Sequence, residues 1–121
     1  MAKPNLLGLW GEKQAAKYLK KKGYKIIACN YRTRFGEIDV IAAKRDVLVF
    51  AEVKLRKASD YVQAREYVGA QKQARVMAAA ELWLLENESE LQPRFDVIEV
   101  YAPDGVETKH PEIIHLEDAF Q

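Results

Sequence analysis

The chain has 121 residues, of which 49% are hydrophobic and 31% charged, enough for one domain around one core. Its longest apolar runs, such as Val47–Ala51, are far too short to cross a bilayer, so no membrane partner is expected. The opening MAKPNLLGLWGEK has neither the apolar stretch nor the cleavage site of a signal peptide, which makes a cytoplasmic setting the default expectation. The single cysteine, Cys29, excludes an internal disulfide and is expected to be a small core residue rather than a nucleophile.

A net charge of +1 hides a strong asymmetry. Residues 1–75 hold 17 of the 19 Lys and Arg against 7 acids, whereas residues 76–121 hold 2 against 11. Between Lys13 and Arg34 there are eight cations and no acid. Such a half-molecule can attract phosphate backbones, although a solvated helix face would show the same run.

In chain order, Asn5 can cap a helix to about Lys22, with Gly23 as its stop. Leu7, Gly8, Gly11, Ala15, Tyr18 and Leu19 recur at helical spacing, and Glu12 sits on the margin of that stripe. Strands are expected at Tyr24–Tyr31 and Glu37–Ala43, then a tight turn at Lys44-Arg45-Asp46 and a third strand at Val47–Arg56. Ser59–Val68 is ambiguous between loop and short helix. A second helix from about Gly69 to Glu86 is supported by Val76, Ala79, Ala80 and Trp83. After the polar break Asn87–Gln92, Pro93 opens a strand at Arg94–Val100, and Glu112–Leu116 is expected as a short edge strand. The order α-β-β-β-α-β-β implies an α/β fold, a mixed central sheet flanked by helices, in one domain spanning residues 1–121.

Two strands carry acids where hydrophobic residues would serve packing better. Asp39 lies within Ile38–Ile41, and Glu52 and Lys54 follow Val47–Phe50. Glu52 and Lys54 are two apart and therefore share a strand face. If the register brings Asp39 near Glu52, the two carboxylates converge, and their repulsion calls for a cation. Asp39 and Glu52, with the backbone carbonyl of Val53, could then hold Mg²⁺ or Mn²⁺. Lys54 would orient or deprotonate an attacking water, Glu12 could reach the same site, and Lys72 could contact a phosphate. The plainer alternative makes Asp39 and Glu52 solvent-facing strand residues with Lys54 as an ion-pair partner. His110 and His115 are given no catalytic role, Arg94 is expected to pair with Asp96 or a neighbouring acid, and packing is the economical role for Tyr24, Tyr31 and Phe35.

Together, Gly8-x-x-Gly11-Glu12, Gly23-Tyr24, Asn30-Tyr31-Arg32, Gly36-Glu37-Ile38-Asp39, Phe50-Ala51-Glu52-Val53-Lys54, Lys72 and Arg94-Phe95-Asp96 resemble the YraN family of small bacterial proteins. The similarity runs to Asp118-Ala119-Phe120. That family is placed in the PD-(D/E)XK nuclease superfamily and resembles Holliday-junction resolvases. The superfamily's proline before the aspartate is Ile38 here. The resemblance implies a restriction-endonuclease-like fold, with Glu12, Asp39, Glu52 and Lys54 as active-site residues of a metal-dependent endonuclease. DNA is the expected partner, in branched or recombination intermediates, and Lys20, Lys21, Lys22, Arg32, Arg34, Arg56 and Lys72 are the expected nucleic-acid contacts. Symmetric cutting of two strands would need two copies of such a domain, which makes a homodimer one arrangement to test. The competing readings are a non-catalytic nucleic-acid-binding module that uses the basic half, and an interaction protein pairing through its oppositely charged ends.

Overall fold

Asn5 starts the first helix by accepting the Gly8 N–H on its side chain at 3.0 Å. Helix α1 runs over Leu6–Lys21, and Gly23, at a φ of 95°, turns the chain out of it. The structure is a computed structural model that describes residues 5–57 and 69–121; the ambiguous Ser59–Val68 lies outside the described residues. Strands β1 (Lys25–Arg32), β2 (Glu37–Lys44) and β3 (Val47–Arg56) follow, then α2 (Ala70–Glu86), β4 (Gln92–Tyr101) and β5 (Glu112–Phe120). The order is the α-β-β-β-α-β-β expected of a restriction-endonuclease-like α/β fold.

The five strands form one sheet in the order β1-β2-β3-β4-β5. Every neighbouring pair is antiparallel except β3 and β4, which run parallel. Parallel neighbours need a crossover, and the connection that contains α2 supplies it. Each sheet face has its own core. Ala15 and Leu19 of α1 pack on Val40, Ala42, Val49, Ala51, Ile98 and Val100. Val76, Ala79, Ala80 and Trp83 of α2 pack on Ile41, Leu48, Phe50 and Val97 on the other face. Strand β3 is thus covered on both sides, which explains why Leu48–Ala51 is an unbroken apolar run. Full burial of a side chain such as Leu19 or Phe50 contributes roughly 1.5–3 kcal/mol. No helix among the described residues is long and apolar enough to cross a membrane.

Three local readings need correcting. Cys29 is exposed, on β1, which is an edge strand of the sheet. Strand β4 begins at Gln92, two residues early, where the Gln92 N–H donates to the Asp46 carbonyl at 2.7 Å. Strand β5 continues to Phe120 through an irregularity opposite Phe95–Val97, where Asp118 adopts a φ of 53°. That left-handed residue lets the chain resume pairing and delivers Phe120 onto Phe95 with ring centroids 5.2 Å apart.

Candidate active site

The turn after β2, with Arg45 at a φ of 56°, sets the register that builds the site. Lys44 lies opposite Val47, and the pairing runs through to Val40 opposite Ala51. One further step would place Asp39 opposite Glu52. The ladder ends there, and the Asp39 carboxylate takes its place, with Oδ2 accepting the Val53 N–H at 2.8 Å. Asp39 is thereby fixed beside the backbone that carries Glu52.

Glu52 continues the Leu48, Phe50 face of β3 and is only 3% exposed. This rules out the reading of Glu52 as a solvent-facing strand residue. Lys72, in the first turn of α2, approaches Glu52 Oε2 at 3.4 Å. Lys54, half-buried on the same face, adds a second positive charge that bears on Glu52. From the other helix, Gly11 lets α1 approach β3 closely; a Cβ there would lie 2.7 Å from Leu55 Cδ2. Glu12 follows it and turns toward Asp39 and Asn30.

The electrostatics follow from this packing. Burial pushes the Glu52 carboxyl up to about 7, the negative charge of Asp39 adds to it, and Lys72 and Lys54 only partly offset the rise. Burial also raises Asp39, against the Val53 N–H and the charge of Lys72. Glu12 is raised by burial, relieved by Asn30 and raised again by Asp39. Two carboxylate oxygens, Glu12 Oε1 and Glu52 Oε1, are buried without a hydrogen-bond partner. A buried acceptor left bare costs about 1–3 kcal/mol, and more when charged. The charged forms of all three acids are disfavoured, and two of them keep a bare oxygen.

Among the described residues, no group of three or more His, Cys, Asp or Glu side chains is arranged to hold a metal ion. Mg²⁺ does not require one, because it is usually held by one or two carboxylates with waters and substrate oxygens completing the shell. Asp39 and Glu52 supply that minimum.

The expected nucleic-acid contacts divide into groups. Lys20 and Lys21 end α1, Lys22 caps it, and all three are exposed. Arg32 is exposed and pairs with Glu37 at 3.4 Å, and Arg34 lies over the Phe35 ring at 5.1 Å. Arg56 stands apart: its guanidinium is largely buried against Glu99 at 3.4 Å, an internal ion pair rather than a free contact. Lys72 belongs with the carboxylates. Phe35 is exposed, whereas Tyr24 is buried and Tyr31 donates to Glu86 Oε1 at 2.7 Å.

Sequence reasoning gave Asn30 no role, yet Asn30 partners Glu12. Its φ of 54° inside a strand is tolerated by Asn far better than by β-branched residues, and Asn amid strand formers was the available signal. A second polar cluster lies on the α1 face. Arg94 donates to both oxygens of Asp96 at 2.9 and 2.8 Å, as expected, and also to the Tyr24 hydroxyl at 2.9 Å. His115 Nε2 meets Asp96 Oδ2 at 2.6 Å, and His115 Nδ1 lies 3.2 Å from the Tyr18 hydroxyl. Burial would raise Asp96, but His115, Arg94 and the Asp118 N–H outweigh it and hold the carboxyl below its ordinary range. This cluster ties β4, β5 and α1 together.

Comparison with known proteins agrees with the motifs. The sequence model of the "Uncharacterised protein family UPF0102" matches residues 11–100, a span that contains Glu12, Asp39, Glu52, Lys54 and Lys72. A UPF0102 protein of Alkaliphilus oremlandii is 44% identical over 117 residues, covering 94% of this chain and 97% of its own. One from Flavobacterium psychrophilum is 38% identical over 120 residues, covering 99% and 98%. Another, from Symbiobacterium thermophilum, is 50% identical over 101 residues, covering 82% and 86%. The chain therefore belongs to the UPF0102 family, the YraN family that its motifs resemble.

Proposed function

We propose that this protein is a metal-dependent endonuclease that hydrolyses DNA phosphodiester bonds, with branched or recombination intermediates as its substrate class. One observation carries the reading. Asp39 is bonded to the Val53 N–H, and this holds its carboxylate beside buried Glu52, whose second oxygen lacks any partner. Two acids would not be kept together in a dry site for stability alone, since replacing buried charges by apolar residues is often neutral or stabilising.

Asp39 and Glu52 would hold Mg²⁺ or Mn²⁺, with the Val53 carbonyl as a third oxygen. When bound, the cation polarises the phosphoryl oxygen and lowers the pKa of water. Lys54 orients the attacking water and offsets charge on the phosphate. Glu12 and Asn30 keep Asp39 in place from the α1 side. Lys72, 3.4 Å from Glu52, would contact a substrate phosphate. Water would form the new P–O bond and release a proton to solvent, the ester P–O bond would break, and the leaving oxygen would take a proton from solvent.

The test is cleavage of labelled DNA by wild type and Lys54→Ala in Mg²⁺. Removal of one group that stabilises developing charge lowers the rate by about 10²–10³-fold, with the fold intact. Equal cleavage by both would remove Lys54 from the mechanism.

A further inference from the structure

A second basic feature lies away from the carboxylates. The outer side of α1 and the segment leading into β5 enclose an open groove of about 800 Å³, whose walls include Lys17, Tyr18, Lys21, Lys22, Lys109 and His110. Lys109 is notable because it is one of only two Lys or Arg residues after position 75, and the fold brings it to the basic helix. No acid among the described residues forms an ion pair with Lys17, Lys21, Lys22 or Lys109. Unpaired cations gathered around one concavity repel each other, and a bound polyanion relieves that repulsion.

The groove wall is also braced from within. Tyr18 lines it, and its hydroxyl is 3.2 Å from His115 Nδ1. His115 is bonded in turn to the fully buried Asp96 at 2.6 Å. A carboxylate only accepts, so His115 Nε2 donates to Asp96, and Nδ1 and the Tyr18 hydroxyl share the second hydrogen bond. The ammonium of Lys22 lies 5.8 Å from the Tyr18 ring centroid, which holds it over the groove. Lys17 and Lys21 are one helical turn apart, about 7–14 Å along α1 from Glu12 and roughly 140–180° around it. The groove is thus spatially distinct from the active site but carried by the same rigid helix.

We infer that this groove binds a nucleic-acid phosphate backbone outside the active site, seating a DNA arm that is not being cut. The inference deepens the nuclease reading and rests on it for the identity of the anion. A row of cations in a concavity suits a polyphosphate strand. A membrane surface would call for an apolar face beside the lysines, and the groove has none of the large exposed apolar side chains.

The test measures binding of a fluorescent four-way junction and a duplex by anisotropy, in EDTA so that nothing is cut, from about 50 to about 300 mM salt. Wild type is compared with Lys17→Ala/Lys21→Ala/Lys109→Ala and with Tyr18→Phe. Each phosphate contact contributes about 0.9 to the slope of log K against log salt, so the triple variant should lose roughly 2–3 from the slope and bind at least about tenfold more weakly. Tyr18→Phe should weaken binding without changing the slope. The lysines are exposed, so thermal melts should coincide with wild type. Identical slopes and affinities for wild type and triple variant would overturn the inference. So would no DNA binding by wild type. DNA that is bound through these lysines but never cleaved in Mg²⁺ would sink the catalytic reading and leave this one standing. Normal cleavage with lysine-independent binding would do the reverse.

Discussion

Replacing Glu52 by Gln should make the metal-free protein more stable above neutral pH, the reverse of the usual effect of altering a buried polar residue. The Glu52 carboxyl sits at about 7 instead of its ordinary 4.5, chiefly because it is buried and then because Asp39 is near. The folded state therefore holds this proton more tightly than the unfolded chain. As pH rises from about 4.5 to about 7, the unfolded chain releases it first and stability falls; above that window the loss is complete. At about 1.4 kcal/mol per pH unit, the loss is on the order of 3 kcal/mol. The glutamine amide would stay neutral throughout and escape it. The ion pair surrendered with Lys72 is half-exposed on the lysine side and is worth at most about 1 kcal/mol, so the gain prevails. Urea midpoints for wild type and Glu52→Gln, measured in EDTA from about pH 5 to about pH 8, give the difference directly. The two curves should separate with rising pH, the variant ending higher by about 2–3 kcal/mol. Parallel curves, or a variant less stable than wild type at the alkaline end, would refute the argument that this site is strained without a cation.

Two substitutions probe the scaffold. Asp96→Asn leaves Arg94 and His115 facing a neutral amide in a fully buried position, and breaking such a pair costs about 3–5 kcal/mol; a chemical-denaturation shift under about 1 kcal/mol would contradict it. Gly36→Ala drives a Cβ to 2.3 Å from the Arg75 carbonyl oxygen, so the turn before β2 must separate from α2. A loss of about 1–3 kcal/mol is expected, with activity reduced because Asp39 and Lys72 lie on the two parted elements; full stability would show that the turn can shift freely.

Much of this was legible in the chain itself because regular elements carry periodic signals. Ala15 and Leu19, or Val76, Ala79 and Trp83, repeat as a helix stripe, and Glu52-x-Lys54 shares a face by strand parity alone. The tight turn at Lys44–Asp46 implied antiparallel neighbours, but the register that brings Asp39 to Glu52 is set only by the observed pairing of β2 with β3. What stayed hidden depends on tertiary placement. Cys29 has the same local sequence whether β1 is central or at the edge, and only the sheet order exposes it. The continuation of β5 to Phe120 depends on Asp118 crossing a bulge and donating to Asp96, a partner 22 residues away. Asn30 joins the site from β1 by meeting Glu12 of α1, whose docking onto the sheet no local pattern specifies. Arg56 has the sequence surroundings of a surface cation, and only the fold sets buried Glu99 beside it.

The nuclease reading stands on the Asp39–Glu52–Lys54 arrangement, and a cleavage panel tests it most directly. Labelled duplex, single-stranded, nicked, flapped and four-way-junction DNAs would be incubated with wild type, Asp39→Ala and Glu52→Ala in Mg²⁺, Mn²⁺ or EDTA. The account predicts cutting of at least one branched substrate by wild type with either metal, and none in EDTA or by either variant. No cutting of any substrate by wild type with either metal, or equal cutting by Glu52→Ala, would contradict it.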